Sequence, residues 1–116
     1  MYGKFSFKEL VTTSTGLSNY PSSPDDLVNL ANLWHYLASV RERFGKPIFV
    51  NSAYRTFKVN EQVGGTKSSY HLKGRAADIR CSIQHMDELR DILSSDRKQG
   101  ILKEFLIYPT FFHIAI

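Results

Sequence analysis

The sequence contains only one cysteine, Cys81, among its 116 residues. A single thiol cannot form an intramolecular disulfide, and zinc sites that depend on several thiolates are excluded for the same reason. We expect Cys81 to be a small buried apolar residue, which is the usual role of a free cysteine.

Long apolar segments are also missing from this chain. No run approaches the ~20 apolar residues of a membrane-spanning helix, so we expect no membrane partner. Residues 1–6 lack the apolar core of a secretory signal peptide. We therefore expect synthesis in the cytoplasm, with release to a cell wall only through a lysis or phage delivery system.

The chain has only a small excess of charge of one sign. Fifteen basic residues against eleven acidic ones give a formal net charge of +4. A mildly basic surface favours anionic polymers in general, including nucleic acid and bacterial wall. No nucleic-acid-binding motif accompanies the charge, so we do not expect a nucleic-acid partner.

The length predicts one domain, residues 1–116, with both helices and strands. Capping residues and apolar periodicity predict the helices, and runs of β-branched and aromatic residues predict the strands. The predicted helices are 6–11, 24–44 with Ser23 as its N-cap, 56–63 and 82–93, and the predicted strands are 47–52, 76–80, 102–108 and 111–116. The last two strands form a hairpin around Pro109-Thr110. Helices that precede and interrupt such strands predict an α+β fold, an antiparallel sheet packed against helices.

Two of the predicted helices carry apolar residues at helical spacing, which predicts the faces that they bury. The predicted stripe of the long helix is Leu27, Leu30, Ala31, Trp34, Leu37, Ala38 and Phe44. The predicted stripe of the last helix is Ile83, Met86, Leu89, Ile92 and Leu93.

Residues 69–78 contain the most informative pattern in the chain. His71 and Asp78 are seven positions apart, with Gly74 between them to permit a sharp turn, and His113 follows three residues from the end. Side chains alternate in facing along a strand. If the strand of His113 neighbours the strand of Asp78, the two imidazoles and the carboxylate can converge.

Two histidines and one carboxylate match a catalytic zinc site, which has three protein ligands and an open position for water. Such a site lowers the pKa of the bound water to about 7 and polarises the carbonyl under attack, which predicts a hydrolase. By spacing alone the alternatives stay open: either histidine could be a surface or core residue, and Asp78 could cap a turn.

Four segments of the chain resemble the D-alanyl-D-alanine carboxypeptidase family, in the family's order. Ser69-x-His71-x-x-Gly74-x-Ala76-x-Asp78 resembles its zinc motif, and residues 51–56 resemble its Ser-Gly-Tyr-Arg segment. Residues 59–65 are similar to the next block, and Phe112-His113-Ile114 to the strand of the last ligand. The resemblance is greatest to the small phage and bacterial murein peptidases, and it implies the Hedgehog/DD-peptidase fold.

The resemblance implies a zinc peptidase that cuts bacterial cell-wall (peptidoglycan) peptides at a D-amino-acid bond, as a carboxypeptidase or an endopeptidase. It implies His71, Asp78 and His113 as zinc ligands. It also implies that Arg55 lies beside the metal and holds the substrate or the developing oxyanion. The alternative for Arg55 is a surface cation or a structural hydrogen-bond donor.

The chain departs from the family pattern just before the last ligand, where relatives often carry a glutamate or a second histidine. Thr110 and Phe111 occupy those positions, and neither accepts a proton at neutral pH. Glu104, on the preceding strand, is the predicted acid/base residue, with a solvated strand charge as its alternative. The departure leaves a second hypothesis for the chain, a non-catalytic zinc-containing binding module of the same fold.

Overall fold

The computed structural model describes residues 4–116; residues 1–3, part of the segment whose composition argues against a signal peptide, lie outside it. Helices α1 to α4 and strands β1 to β4 alternate irregularly along the chain. The α-helices are α1 Phe7–Val11, α2 Pro24–Phe44, α3 Phe57–Gln62 and α4 Met86–Lys98. The strands are β1 Phe49–Ser52, β2 Ala76–Arg80, β3 Glu104–Ile107 and β4 Phe112–Ala115. Two 3-10 helices complete the elements: Tyr70–Lys73, which we call the His71 turn, and Ile83–His85.

Local capping residues account for where the first two helices begin. Ser6 and Glu9 form a reciprocal capping box at the start of α1, which satisfies two backbone donors. The Ser23 side chain accepts from the backbone of Asp26 at the start of α2. Gly45 ends α2 with a φ of 74°, a conformation that glycine adopts at little cost.

The four strands form one antiparallel sheet in the order β1-β2-β4-β3. Together with the helices this confirms the predicted α+β fold and the predicted pairing of the His113 strand with the Asp78 strand. In the register of β2 and β4, Asp78 lies directly opposite His113. In the register of β3 and β4, Leu106 lies opposite His113 and Glu104 opposite Ala115.

Alternation along the strands separates the core from the site. Ala77 and Ile79 of β2 and Phe112 and Ile114 of β4 belong to the buried core. Their neighbours in sequence, including Asp78 and His113, point to the opposite face because successive strand side chains alternate. The helices cover the first face, and the second face carries the predicted site residues Asp78 and His113.

The buried face of α2 differs from the predicted stripe. Leu27 is 46% exposed and Ala31 is also exposed, so both predictions are wrong. The buried residues of α2 are Leu30, Leu33, Tyr36, Leu37, Val40 and Phe44. Helical spacing predicts which residues face the core only to within about one position. Buried Tyr36 also donates its hydroxyl to Asp96, a contact that no periodicity reveals.

The last helix also differs from the prediction, at both ends. Ile83 is 90% exposed because it lies in a 3-10 helix that precedes α4, where the α-helical periodicity does not apply. At the other end α4 extends five residues past Leu93 to Lys98. The extension is stabilised by buried Asp96, whose carboxylate binds Arg43 and Tyr36 of α2.

Cys81 is buried at 7% exposure, which confirms its predicted apolar role. Within residues 4–116, none of the helices combines the length and the apolar character that crossing a membrane requires.

Candidate metal centre

The His71 turn presents its histidine through two local devices. The Ser69 hydroxyl accepts a hydrogen bond from the backbone N–H of His71 at 3.2 Å and begins the turn. Gly74 ends it with a φ of 74°. A Cβ at position 74 would lie 2.9 Å from the backbone oxygen of Asp26, so only glycine lets the turn approach α2 this closely.

The ring of His71 is buried and held in one orientation. Its Nδ1 lies 2.6 Å from the carbonyl oxygen of Ala53, and a carbonyl can only accept, so Nδ1 carries the proton. In the neutral imidazole the lone pair is then on the other nitrogen, Nε2, which faces Asp78 Oδ1 at 3.3 Å.

Asp78 and His113 meet across the β2–β4 pair. Nδ1 of His113 lies 2.8 Å from Oδ1 of Asp78, and the two imidazole rings are 5.2 Å apart between centroids. Donor atoms of His71, Asp78 and His113 all lie within 4.8 Å of one another. The structure thus brings the three predicted ligands together.

This donor set fits a divalent metal ion such as zinc. Two imidazole nitrogens and one carboxylate oxygen are ligands that zinc accepts, and three protein ligands leave a further position open. The side chains of His71, Asp78 and His113 are 3%, 14% and 14% exposed, so all three are largely shielded from solvent.

Arg55 lies at the same site, with its guanidinium fixed by three partners. Nε donates to the Ser52 hydroxyl at 3.1 Å, and Nη1 donates to Asn60 Oδ1 at 3.3 Å. Nη2 lies 3.5 Å from Asp78 Oδ2. Sequence reasoning missed Ser52 and Asn60, although both fall inside the two segments that resemble the family.

The charges of the site stabilise one another. Burial opposes ionisation of Asp78, but the polar contacts with His113 and His71 outweigh it and hold the pKa of the carboxyl below its ordinary value. Burial likewise disfavours the cationic form of His113, yet its bonds to Asp78 and Glu104 raise the pKa of the imidazole. Burial lowers the pKa of Arg55, against the attraction of Asp78.

Glu104, the predicted acid/base residue, contacts the last ligand. Its Oε1 lies 2.9 Å from Nε2 of His113, and its side chain is 41% exposed. The structure therefore brings Glu104 to the site, but at the ring nitrogen that faces away from Asp78.

The site lies in a cleft of about 350 Å³. One wall is polar and comes from Arg55 and from Gly65, Thr66, Ser68 and Ser69. The other wall comes from the β3–β4 hairpin, where the rings of Tyr108 and Phe111 stack at 4.7 Å with Leu106 nearby. The sequence analysis did not predict that these apolar residues line the cleft. The available signal was that Leu106 and Tyr108 are two positions apart in the predicted strand and therefore face the same side.

Comparison with known proteins places the chain in a family. The family model described as peptidase M15 matches residues 4–115, so the chain belongs to the peptidase M15 family. The family predicted from the four segments is thereby confirmed.

A curated relative gives a more particular likeness. The zinc D-Ala-D-Ala carboxypeptidase of Streptomyces albus G is 39% identical to this chain over 56 residues. That alignment covers 47% of this chain and 22% of the relative, so the chain matches about a fifth of the relative's length.

Proposed function

We propose that this protein is a zinc-dependent peptidase that hydrolyses peptides of the bacterial cell wall at a D-amino-acid bond. The observation that carries the proposal is the convergence of His71 Nε2, Asp78 Oδ1 and His113 Nδ1 on the floor of an open cleft. Membership of the peptidase M15 family and the name of the Streptomyces relative support it.

The predicted cofactor, Zn²⁺, is confirmed by the family, by the relative's name and by a donor set that fits the ion. We assign His71, Asp78 and His113 as the residues that hold it. When bound, zinc supplies a Lewis acid that polarises a carbonyl group and promotes ionisation of water.

In this proposal Arg55 binds the substrate at the polar wall. Its guanidinium is held by Ser52 and Asn60 before any substrate arrives. A cation fixed in advance can accept a substrate carboxylate or stabilise negative charge that develops on the scissile carbonyl, without the cost of reorganisation. The stacked rings of the opposite wall offer apolar surface to the substrate chain.

A second candidate function is a binding module that holds zinc and a wall peptide without cutting it. Two observations favour it: Thr110 and Phe111 precede the last ligand, and Oε1 of Glu104 is bound to His113. Two carboxylates line the cleft, Asp78 and Glu104. Asp78 is a proposed metal ligand and Glu104 is bonded to one, so neither is free of the proposed metal centre.

Cleavage of defined substrates distinguishes the two functions. Zinc-loaded protein is incubated with purified peptidoglycan and with D-alanyl-D-alanine peptides, and the products are identified by mass spectrometry. We expect release of a terminal D-alanine, or of a cross-linked fragment if the enzyme is an endopeptidase. Peptide binding with no cleavage at full zinc occupancy supports the binding module.

The ligand assignment has its own test. His71→Ala removes one of three ligands, so we expect it to abolish stoichiometric zinc, measured by metal analysis after gel filtration. His85→Ala is the matched control because His85 does not line the cleft, and it should retain zinc. Unchanged zinc content in the His71 variant contradicts the assignment.

A further inference from the structure

The two proposed imidazole ligands share one arrangement. In each ring, one nitrogen faces Oδ1 of Asp78 and the other nitrogen meets an oxygen acceptor. For His71 the acceptor is the carbonyl oxygen of Ala53 at 2.6 Å, and for His113 it is Oε1 of Glu104 at 2.9 Å. Metal-binding histidines commonly donate their second N–H to such a carbonyl or carboxylate, which fixes the tautomer and the ring orientation.

Geometry separates Glu104 from the position where a metal would bind. The two nitrogens of an imidazole point to different sides of the ring, so a group bonded to Nε2 lies across the ring from a group bonded to Nδ1. The Glu104 carboxylate is therefore on the far side of His113 from Asp78.

The sheet register explains how Glu104 reaches this ring. Glu104 and Leu106 lie on the same face of β3, and Leu106 is directly opposite His113. The residue opposite Glu104 is Ala115, whose small side chain leaves room for the carboxylate to lean diagonally toward His113.

We infer that Glu104 is a positioning residue, which holds His113 with Nδ1 directed at the metal, rather than the proton acceptor of the reaction. The inference rests on the proposed function only in taking His113 as a zinc ligand. It makes the Glu104 side chain a determinant of metal affinity, whether or not the protein cuts its peptide.

Zinc dissociation constants, measured by competition with a chromophoric chelator, test the inference. Glu104→Ala removes the acceptor, and we expect zinc to bind about 10–100-fold more weakly, the usual cost of losing such a partner. Glu104→Gln keeps a side-chain oxygen that can accept from Nε2–H, and we expect affinity within about threefold of the wild type. Glu42→Ala removes one exposed negative charge on α2, outside the cleft, and should leave affinity unchanged.

Wild-type zinc affinity in Glu104→Ala would overturn the inference. So would Glu104→Gln protein that binds zinc normally but turns over about 100-fold more slowly, since that loss is typical of a missing general base. If wild-type protein binds no zinc, the proposed function itself fails, and this result is distinct from both others. Circular dichroism of each variant establishes that it is folded.

Discussion

At the scale of single residues, Arg55 is held in place by several neighbouring groups. Ser52, Asn60 and Asp78 each contact a different nitrogen of the guanidinium, and the side chain is 16% exposed. The backbone contributes as well, since the N–H of Arg55 donates to the carbonyl oxygen of His71 at 3.0 Å. This backbone hydrogen bond links Arg55 directly to His71, the first proposed ligand.

Replacing Arg55 with lysine tests whether this geometry matters for catalysis. Lysine keeps the charge but cannot reproduce the planar fork, so we expect kcat to fall by about 100-fold, as for loss of one oxyanion donor. Zinc content should remain stoichiometric, because Arg55 is not a proposed ligand. Steady-state kinetics on a D-alanyl-D-alanine peptide measure the effect, and an unchanged kcat would remove Arg55 from the mechanism.

The residue scale also shows what the sequence could predict about the site. His71, Asp78, His113 and Arg55 were predictable because they fall in segments with the spacing of a known family. The contact between Glu104 and His113 was not, because it depends on strand register and on one side-chain rotamer. The spacing of residues along the chain predicts neither the register nor the rotamer.

At the scale of elements, the His71 turn is fitted against the N-terminal part of α2. Gly74 combines two constraints: a positive φ of 74° and a position where a Cβ would lie 2.9 Å from the Asp26 carbonyl oxygen. Asp26 and Leu30 are the residues of α2 that this glycine faces. The turn and the helix can therefore approach only with glycine at this position.

Gly74→Ala should lower the free energy of unfolding by more than a positive φ alone explains. The positive φ costs a non-glycine residue about 1–2 kcal/mol, and the contact with backbone adds to that. Gly100→Ala is the matched control, since its φ is 79° but nothing lies within 4 Å of the added Cβ. Urea denaturation measures both variants, and equal losses would contradict the close approach to α2.

The elements themselves were largely predictable, and the faces that they bury were less so. Strand β2 has the predicted bounds, 76–80, and the capping residues predicted the start of α2 correctly. The predicted stripe of α2 left out Tyr36, whose buried hydroxyl donates to Asp96 of α4. Such tertiary contacts override periodicity, and one sequence does not reveal them.

At the scale of the whole molecule, a buried polar cluster joins α2 to α4 away from the cleft. Asp96 is 1% exposed and accepts from the Tyr36 hydroxyl at 2.6 Å and from Arg43 at 2.9 and 2.7 Å. Burial opposes its charge, but the bonds from Arg43 and Tyr36 prevail and lower the pKa of the Asp96 carboxyl. The two long helices are linked through this one carboxylate.

This cluster predicts how stability depends on pH. A carboxyl whose pKa is lower in the folded than in the unfolded protein stabilises the fold above its unfolded pKa of about 3.9. That stabilisation is lost as the pH falls through the folded pKa. We expect Asp96→Asn to cost about 3 kcal/mol at pH 7 and progressively less below pH ~4.

Urea unfolding of wild type and Asp96→Asn, measured at a series of pH values, tests this. Asp78 contributes acid sensitivity of the same sign to both proteins, so the difference between them isolates Asp96. A difference that stays constant from neutral to acid pH would contradict the role given to this carboxylate.

The alternation of side chains on β3 and β4 has a consequence for how this protein can evolve. Phe112 and Ile114 are packed in the core, whereas Leu106 and Phe111 line the cleft. Under the proposed function, substitutions at Leu106 and Phe111 can therefore change which peptide is preferred without disturbing the packing that keeps the chain folded. The same hairpin thus contributes to substrate preference and to folding, but through different residues. Mutation can therefore alter the proposed substrate preference while selection conserves the residues of the core.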